Sequence, residues 1–129
     1  MNEQEFKART KKLALRVIRL VEALPSGKTA DVIGRQLLRA ATSVGANYRA
    51  ACRGKSPADV INKLCIVEEE GDECLYWMEL LIEAGLIPES RLAELMSETN
   101  EIVAMVVASI KTLRTKQNQS LSSNPKSKI

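Results

Sequence analysis

Between Val60 and Ile82 the apolar residues recur by threes and fours. Val60, Leu64, Val67, Gly71, Cys74, Leu75, Met78 and Ile82 set a seven-residue rhythm. That period suits a helix packed against neighbours at a crossing angle near +20°, the geometry of a bundle, and is incompatible with the two-residue period of a strand. The flanks agree with it. Ser56, Pro57 and Asp59 read as N-cap, first-turn proline and first-turn acid, and Gly85 followed by Pro88 reads as a stop and a new start. Gly71, in the middle of the apolar stripe, predicts a close approach by a neighbouring helix. The low aromatic content, 3%, and only six Gly and four Pro also favour helix over sheet.

Three further helices follow from the same test. In the first, from Glu3 to Leu24, Phe6, Leu13, Val17, Leu20, Val21 and Leu24 share a face, with Leu15 and Ile18 outside it. Pro25 to Thr29, PSGKT, breaks the chain, with Ser26 or Thr29 as the next cap. In the second, running to about Cys52, Ile33, Leu37, Ala40, Ala41, Val44, Tyr48 and Ala51 form the apolar side. The fourth carries Leu92, Leu95, Met96, Thr99, Ile102, Val103, Val106, Ile110 and Leu113, and is expected to end near Thr115. The fold class predicted is all-α, an antiparallel up-down-up-down four-helix bundle over residues 1–115. A disordered polar tail is expected over residues 116–129, because KQNQSLSSNPKSKI is polar, Ser-rich and weakly basic.

The net charge of +3 hides a strong segregation. Residues 1–55 hold twelve Lys/Arg against four Asp/Glu, residues 56–110 two against twelve, and residues 111–129 five against none. Either the halves neutralise one another inside the fold, or a basic surface is kept for an acidic partner. The chain has no histidine, which removes the His-based triads, HExxH zinc sites and a His general base, and it lacks both GxxxxGK[ST] and GxGxxG. Cys52, Cys65 and Cys74 have no CxxC spacing and read as buried, reduced thiols. No catalysis, cofactor or metal is therefore expected. No apolar run reaches the ~20 residues of a membrane span, so no membrane contact is expected and the location predicted is cytoplasmic.

The candidate binding residues lie on the backs of the first two helices. Arg9, Lys12, Arg16 and Arg19 line one, and Arg35, Arg39, Arg49 and Arg53, with Lys55 just beyond, line the other. Thr42 and Ala46 fall between them, leaving the middle of that face low and flat. Cation rows of this kind suit a nucleic-acid backbone, RNA or DNA, and the shortage of aromatics argues against base stacking. The plainer expectation for Arg39 is an ion pair with Glu69 or Glu70 across a hairpin, whereas Arg49 and Arg53 face a stretch with only Asp59 nearby. The run Glu68-Glu69-Glu70, Asp72-Glu73 reads as a solvated or salt-bridged face, since successive helical residues diverge by ~100°. Ile66, Trp77, Leu80 and Leu81 lie off the main stripe of their helix and are assigned to contact with another copy. Asn47 and Ser43, at the edge of the core face, are read as structural.

Two stretches resemble a known family. RQLLRAATSVGANYRAACRGKS, Arg35 to Ser56, combines Arg39, Ala40, Ala41, Ser43, Asn47 and Arg53, and IVEEEGDECLYWMELL spans Ile66 to Leu81. The chain is similar, over about residues 6–114, to the bacterial four-helix-bundle family of rRNA intervening-sequence proteins. Where that family often has Ala-Glu-Gly after the Asn, this chain has Tyr48-Arg49-Ala50-Ala51, so no role of the glutamate carries over. The resemblance implies a homo-oligomer, typically a pentamer, with a basic surface for nucleic acid. A bundle of similar fold, the accessory variability determinant of diversity-generating retroelements, partners a reverse transcriptase. The alternative function is therefore a scaffold that engages another protein.

Overall fold

The computed structural model describes residues 2–123, with side chains as far as Ser120, and folds them into four helices with no strand among the described residues. The first, α1, runs Glu3–Glu22, and its start is closed by a capping box: the Glu5 amide donates to Asn2 Oδ1 at 2.8 Å while the Asn2 amide donates to Glu5 Oε2 at 3.3 Å. The second, α2, spans Lys28–Cys52. Its N-cap is Gly27 and not Ser26 or Thr29, and no side chain caps it. Gly27 has φ 151° and ψ 158°, a conformation that in practice only glycine adopts, so the turn is set by backbone freedom and not by a hydroxyl.

The third helix, α3, covers Pro57–Glu83. Ser56 Oγ accepts the Asp59 amide at 3.1 Å, and Asp59 Oδ2 reaches back to the Lys55 amide at 3.1 Å, so all three start signals act as read. Its end is a Schellman closure: the Leu86 amide donates to the Leu81 carbonyl and the Gly85 amide to the Ile82 carbonyl, each at 3.0 Å, with Gly85 at φ 73°. The fourth, α4, extends Glu89–Ser123. It passes the expected end at Thr115 by eight residues, because Lys116 to Ser123 contain no glycine or proline and the first breaker is Pro125. Residues 124–129 of the expected tail lie outside the described residues.

Consecutive helices pack antiparallel in the expected up-down-up-down order. Phe6 near the start of α1 meets Tyr48 near the end of α2, edge to face with centroids 4.6 Å apart, and Gly71 in mid-α3 lies against Val103 in mid-α4. The α2–α3 seam is the most extensive and α3–α4 the next, while α1 rests on α2 and meets α4 least. Leu13, Val17, Leu37, Val44, Val67, Met78, Leu92, Ile102 and Val106 fill the centre. The two buried hydroxyls, Thr10 and Thr99, donate to the carbonyls of Lys7 and Leu95 at 3.1 and 2.8 Å, so neither leaves an unpaired polar atom.

One expected surface residue moves inside. Leu81, assigned to an intermolecular contact, is 0% exposed and belongs to the core. The buried stripe of α3 runs Ile61, Leu64, Val67, Gly71, Cys74, Met78, Leu81, so a step of three after Met78 leads to Leu81 and leaves Ile82 half-buried at the edge. A strict seven-residue repeat drifts about 20° per heptad on a 3.6-residue helix, which over three heptads is enough to exchange the two.

Candidate nucleic-acid interface

The spacing of α2 explains its outer face. Arg35 and Arg39 are one turn apart, as are Arg49 and Arg53, so both pairs leave the helix on the side away from Leu37, Ala40, Ala41 and Val44. Where α3 runs antiparallel beside that side, Arg39 finds acid: its Nη1 lies 2.9 Å from Glu70 Oε2, and its Nη2 donates to Glu73 Oε1. Glu73 also accepts the Trp77 indole N–H at 3.0 Å, and this bond first, then Arg39, holds its carboxyl below the usual range. The expected cross-helix pairing of Arg39 with Glu70 is present. Glu73 joins it because it lies one turn further along the same face, and Arg39 is thereby committed to the fold.

Arg9 is committed in the same way, to a partner on α4. Its Nε and Nη2 donate to the two oxygens of Glu98 at 2.6 and 2.7 Å, Nη2 also lies 3.4 Å from Glu101, and Nη1 reaches the sulfur of Met105 at 3.3 Å. The guanidinium holds the Glu98 carboxyl below the ordinary carboxylate range; Arg16 and Lys12 add smaller contributions from further off. The fork is two-pronged and its side chains are only 19% and 23% exposed, so Arg9 closes the α1–α4 seam and does not face a ligand. Arg9 and Arg39 thus leave the row of nine candidate binding cations, because each sits where an acidic helix passes within reach.

The other seven stay outside. Among the described residues Lys12, Arg16, Arg19, Arg35, Arg49, Arg53 and Lys55 form no ion pair. Arg16 and Arg19 line a cleft of about 260 Å3 at the α1–α4 end together with Arg91, a cation the sequence reading did not include. Arg49 stands on the rim of a groove between α1 and α2, opposite Lys7 and Lys11. Thr42 and Ala46, the low stretch expected, line that groove, with Gly45 between them. Lys7 and Lys11 were overlooked because they fall between the apolar stripe and the basic back of α1. Their one-turn spacing beside the small residues Ala8 and Ala14 was the available signal.

Asn47 and Ser43 are structural. Asn47 Nδ2 donates to the Ser43 carbonyl at 2.9 Å and to Ser43 Oγ at 2.8 Å, a bond within one turn of α2. Trp77 and Leu80 are half-buried against the core, Ile66 is half-buried, and Tyr76, edge-on to Trp77 at 5.1 Å, is 52% exposed. The three cysteines are free. Cys74 is fully enclosed, and burial pushes its thiol up to about 12, while Cys52 and Cys65 are half-buried. Among the described residues no group of three or more His, Cys, Asp or Glu is placed to hold a metal, and no helix is long and apolar enough to cross a membrane.

The comparisons with known proteins follow the same lines. The family described as 23S rRNA-intervening sequence protein matches residues 2–108. The solved structure of a protein of unknown function from the S23 ribosomal protein family of Bacteroides thetaiotaomicron is similar, with 34% identity and a TM-score of 0.80 over 86% of this chain and 99% of that one. No curated protein matches the chain. With the signature segment on α2, the acidic segment on α3 and the four-helix arrangement all in place, the chain belongs to the 23S rRNA-intervening sequence protein family.

Proposed function

We propose that this chain is a non-catalytic cytoplasmic homo-oligomer, a pentamer as the family resemblance implies, whose basic α1–α2 face holds RNA or DNA by the phosphate backbone. The observation that carries the reading is how little of the charge segregation the fold consumes. Among the described residues Arg9 and Arg39 turn inward to the acidic helices, while Lys12, Arg16, Arg19, Arg35, Arg49, Arg53 and Lys55 form no ion pair. Phosphates reward such a surface without sequence discrimination, and in an oligomer several copies of it act together by avidity.

The test is the salt dependence of binding. If about four phosphates are neutralised, log K falls with log salt at a slope of about −3 to −4. Arg49→Glu with Arg53→Glu is expected to shrink that slope and weaken binding to all sequences alike. Absence of salt-dependent binding by the wild-type chain, or unchanged binding by the double variant, overturns the reading. So does co-purification with a protein and no nucleic acid, the result expected of a scaffold.

A further inference from the structure

The α1–α2 groove has a volume of about 580 Å3. Its rims are basic on both sides, Lys7 and Lys11 from α1 and Arg49 from α2, and among the described residues no carboxylate lines it. Lys11 and Arg49 have no ion-pair partner among the described residues. Lys7 reaches Glu3 at 3.2 Å, one turn back on the same helix, a pair between partly exposed groups that a phosphate can displace. Between these cations the lining includes Ala8, Thr10, Ala14, Thr42, Gly45 and Ala46, all small, so nothing bulky among them holds a ligand away, and the helices are close enough that a Cβ on Gly45 would touch Thr10 at 3.5 Å.

The groove also lacks something a single strand requires. Among the described residues no aromatic lines it: Tyr48, the aromatic nearest in sequence to Arg49, is half-buried and packed edge-on against Phe6. An unstacked base would find no ring to lie on, whereas a double helix keeps its bases stacked on one another and presents only its backbone.

Resting on the nucleic-acid reading above and narrowing it, the geometry points to one strand of a duplex seated by its phosphodiester backbone in the α1–α2 groove, between Lys7 and Lys11 on one side and Arg49 on the other. Duplex DNA and duplex RNA share that chemistry, and the experiment separates them.

Binding of the full chain to a short labelled DNA duplex, an RNA duplex and a single strand of equal length is measured at low salt. Three variants are compared, each checked by circular dichroism for helix content. Lys11→Glu with Arg49→Glu is expected to weaken duplex binding at least about tenfold, and the charge-matched pair Lys111→Glu with Lys116→Glu, on α4 and outside the groove, by less than about threefold. Ala46→Trp, which fills part of the groove without changing charge, is expected to weaken it as the groove pair does. The preferred duplex identifies the backbone as ribose or deoxyribose. Three results overturn the inference while leaving the broader reading intact: equal losses from the two charge pairs, no effect of Ala46→Trp, or tighter binding of the single strand. Displacement of the duplex by an acidic peptide at equal charge concentration also overturns it, by making the groove a protein site. No binding of any nucleic acid by the wild-type chain removes both.

Discussion

At the scale of single residues, position 71 decides how α3 and α4 meet. A Cβ added to Gly71 would stand 2.6 Å from Val103 Cγ2, well inside contact distance. Valine has few rotamers on a helix, so the clash has to be relieved by moving backbone. Overpacking of this kind costs about 1–3 kcal/mol, and the better helix propensity of alanine returns up to about 1. Gly71→Ala is therefore expected to lower the melting temperature by several degrees, and adding Val103→Ala is expected to recover most of the loss. A single variant as stable as the parent would refute the close approach. This contact was legible before the structure, because a glycine at a core position of a helix has few other uses. The reach of Arg39 to Glu70 was legible too, since both lie on neighbouring helices joined by a short loop.

At the scale of elements, the seam between α1 and α4 is held by polar contacts as much as by packing. Arg9 grips Glu98 with two nitrogens, and the carboxyl titrates below its ordinary range because of that grip. The folded-state pKa is depressed, so the pair's contribution is full above the unfolded value of about 4.3 and fades as pH falls through the folded one. Glu98→Gln is expected to cost about 1 kcal/mol at neutral pH and almost nothing at the acid end, measured as denaturant midpoints across pH. An equal cost at both ends would show that the pair contributes nothing. This seam was not legible from sequence, because reasoning from short loops pairs each helix with its successor, and α1 and α4 are not successive. The length of α4 was missed for a different reason: a polar run without glycine or proline can extend a helix that is already nucleated, although it has too little apolar surface to specify one alone.

For the whole molecule, the outer side of α3 is where the proposed association of copies is to be tested. Ile66, Trp77 and Leu80 remain at least partly open beside the exposed Tyr76, while Leu81 has been drawn into the core. The two kinds of position are expected to respond differently. Trp77→Ala lowers the mass found by light scattering with little change in helix content. Leu81→Ala lowers stability by about 2–5 kcal/mol, as large-to-small changes in cores do. An unchanged mass for Trp77→Ala would remove this patch as the contact. Seen whole, the seams also rank in time. The broad ones, α1–α2, α2–α3 and α3–α4, each join helices adjacent in the chain, so the loops that must close are short and lose little entropy. Only the narrow seam joins residues 89 positions apart, at Arg9 and Glu98. A chain arranged in this way is expected to assemble its hairpins first, from local encounters, and to close the one distant junction last.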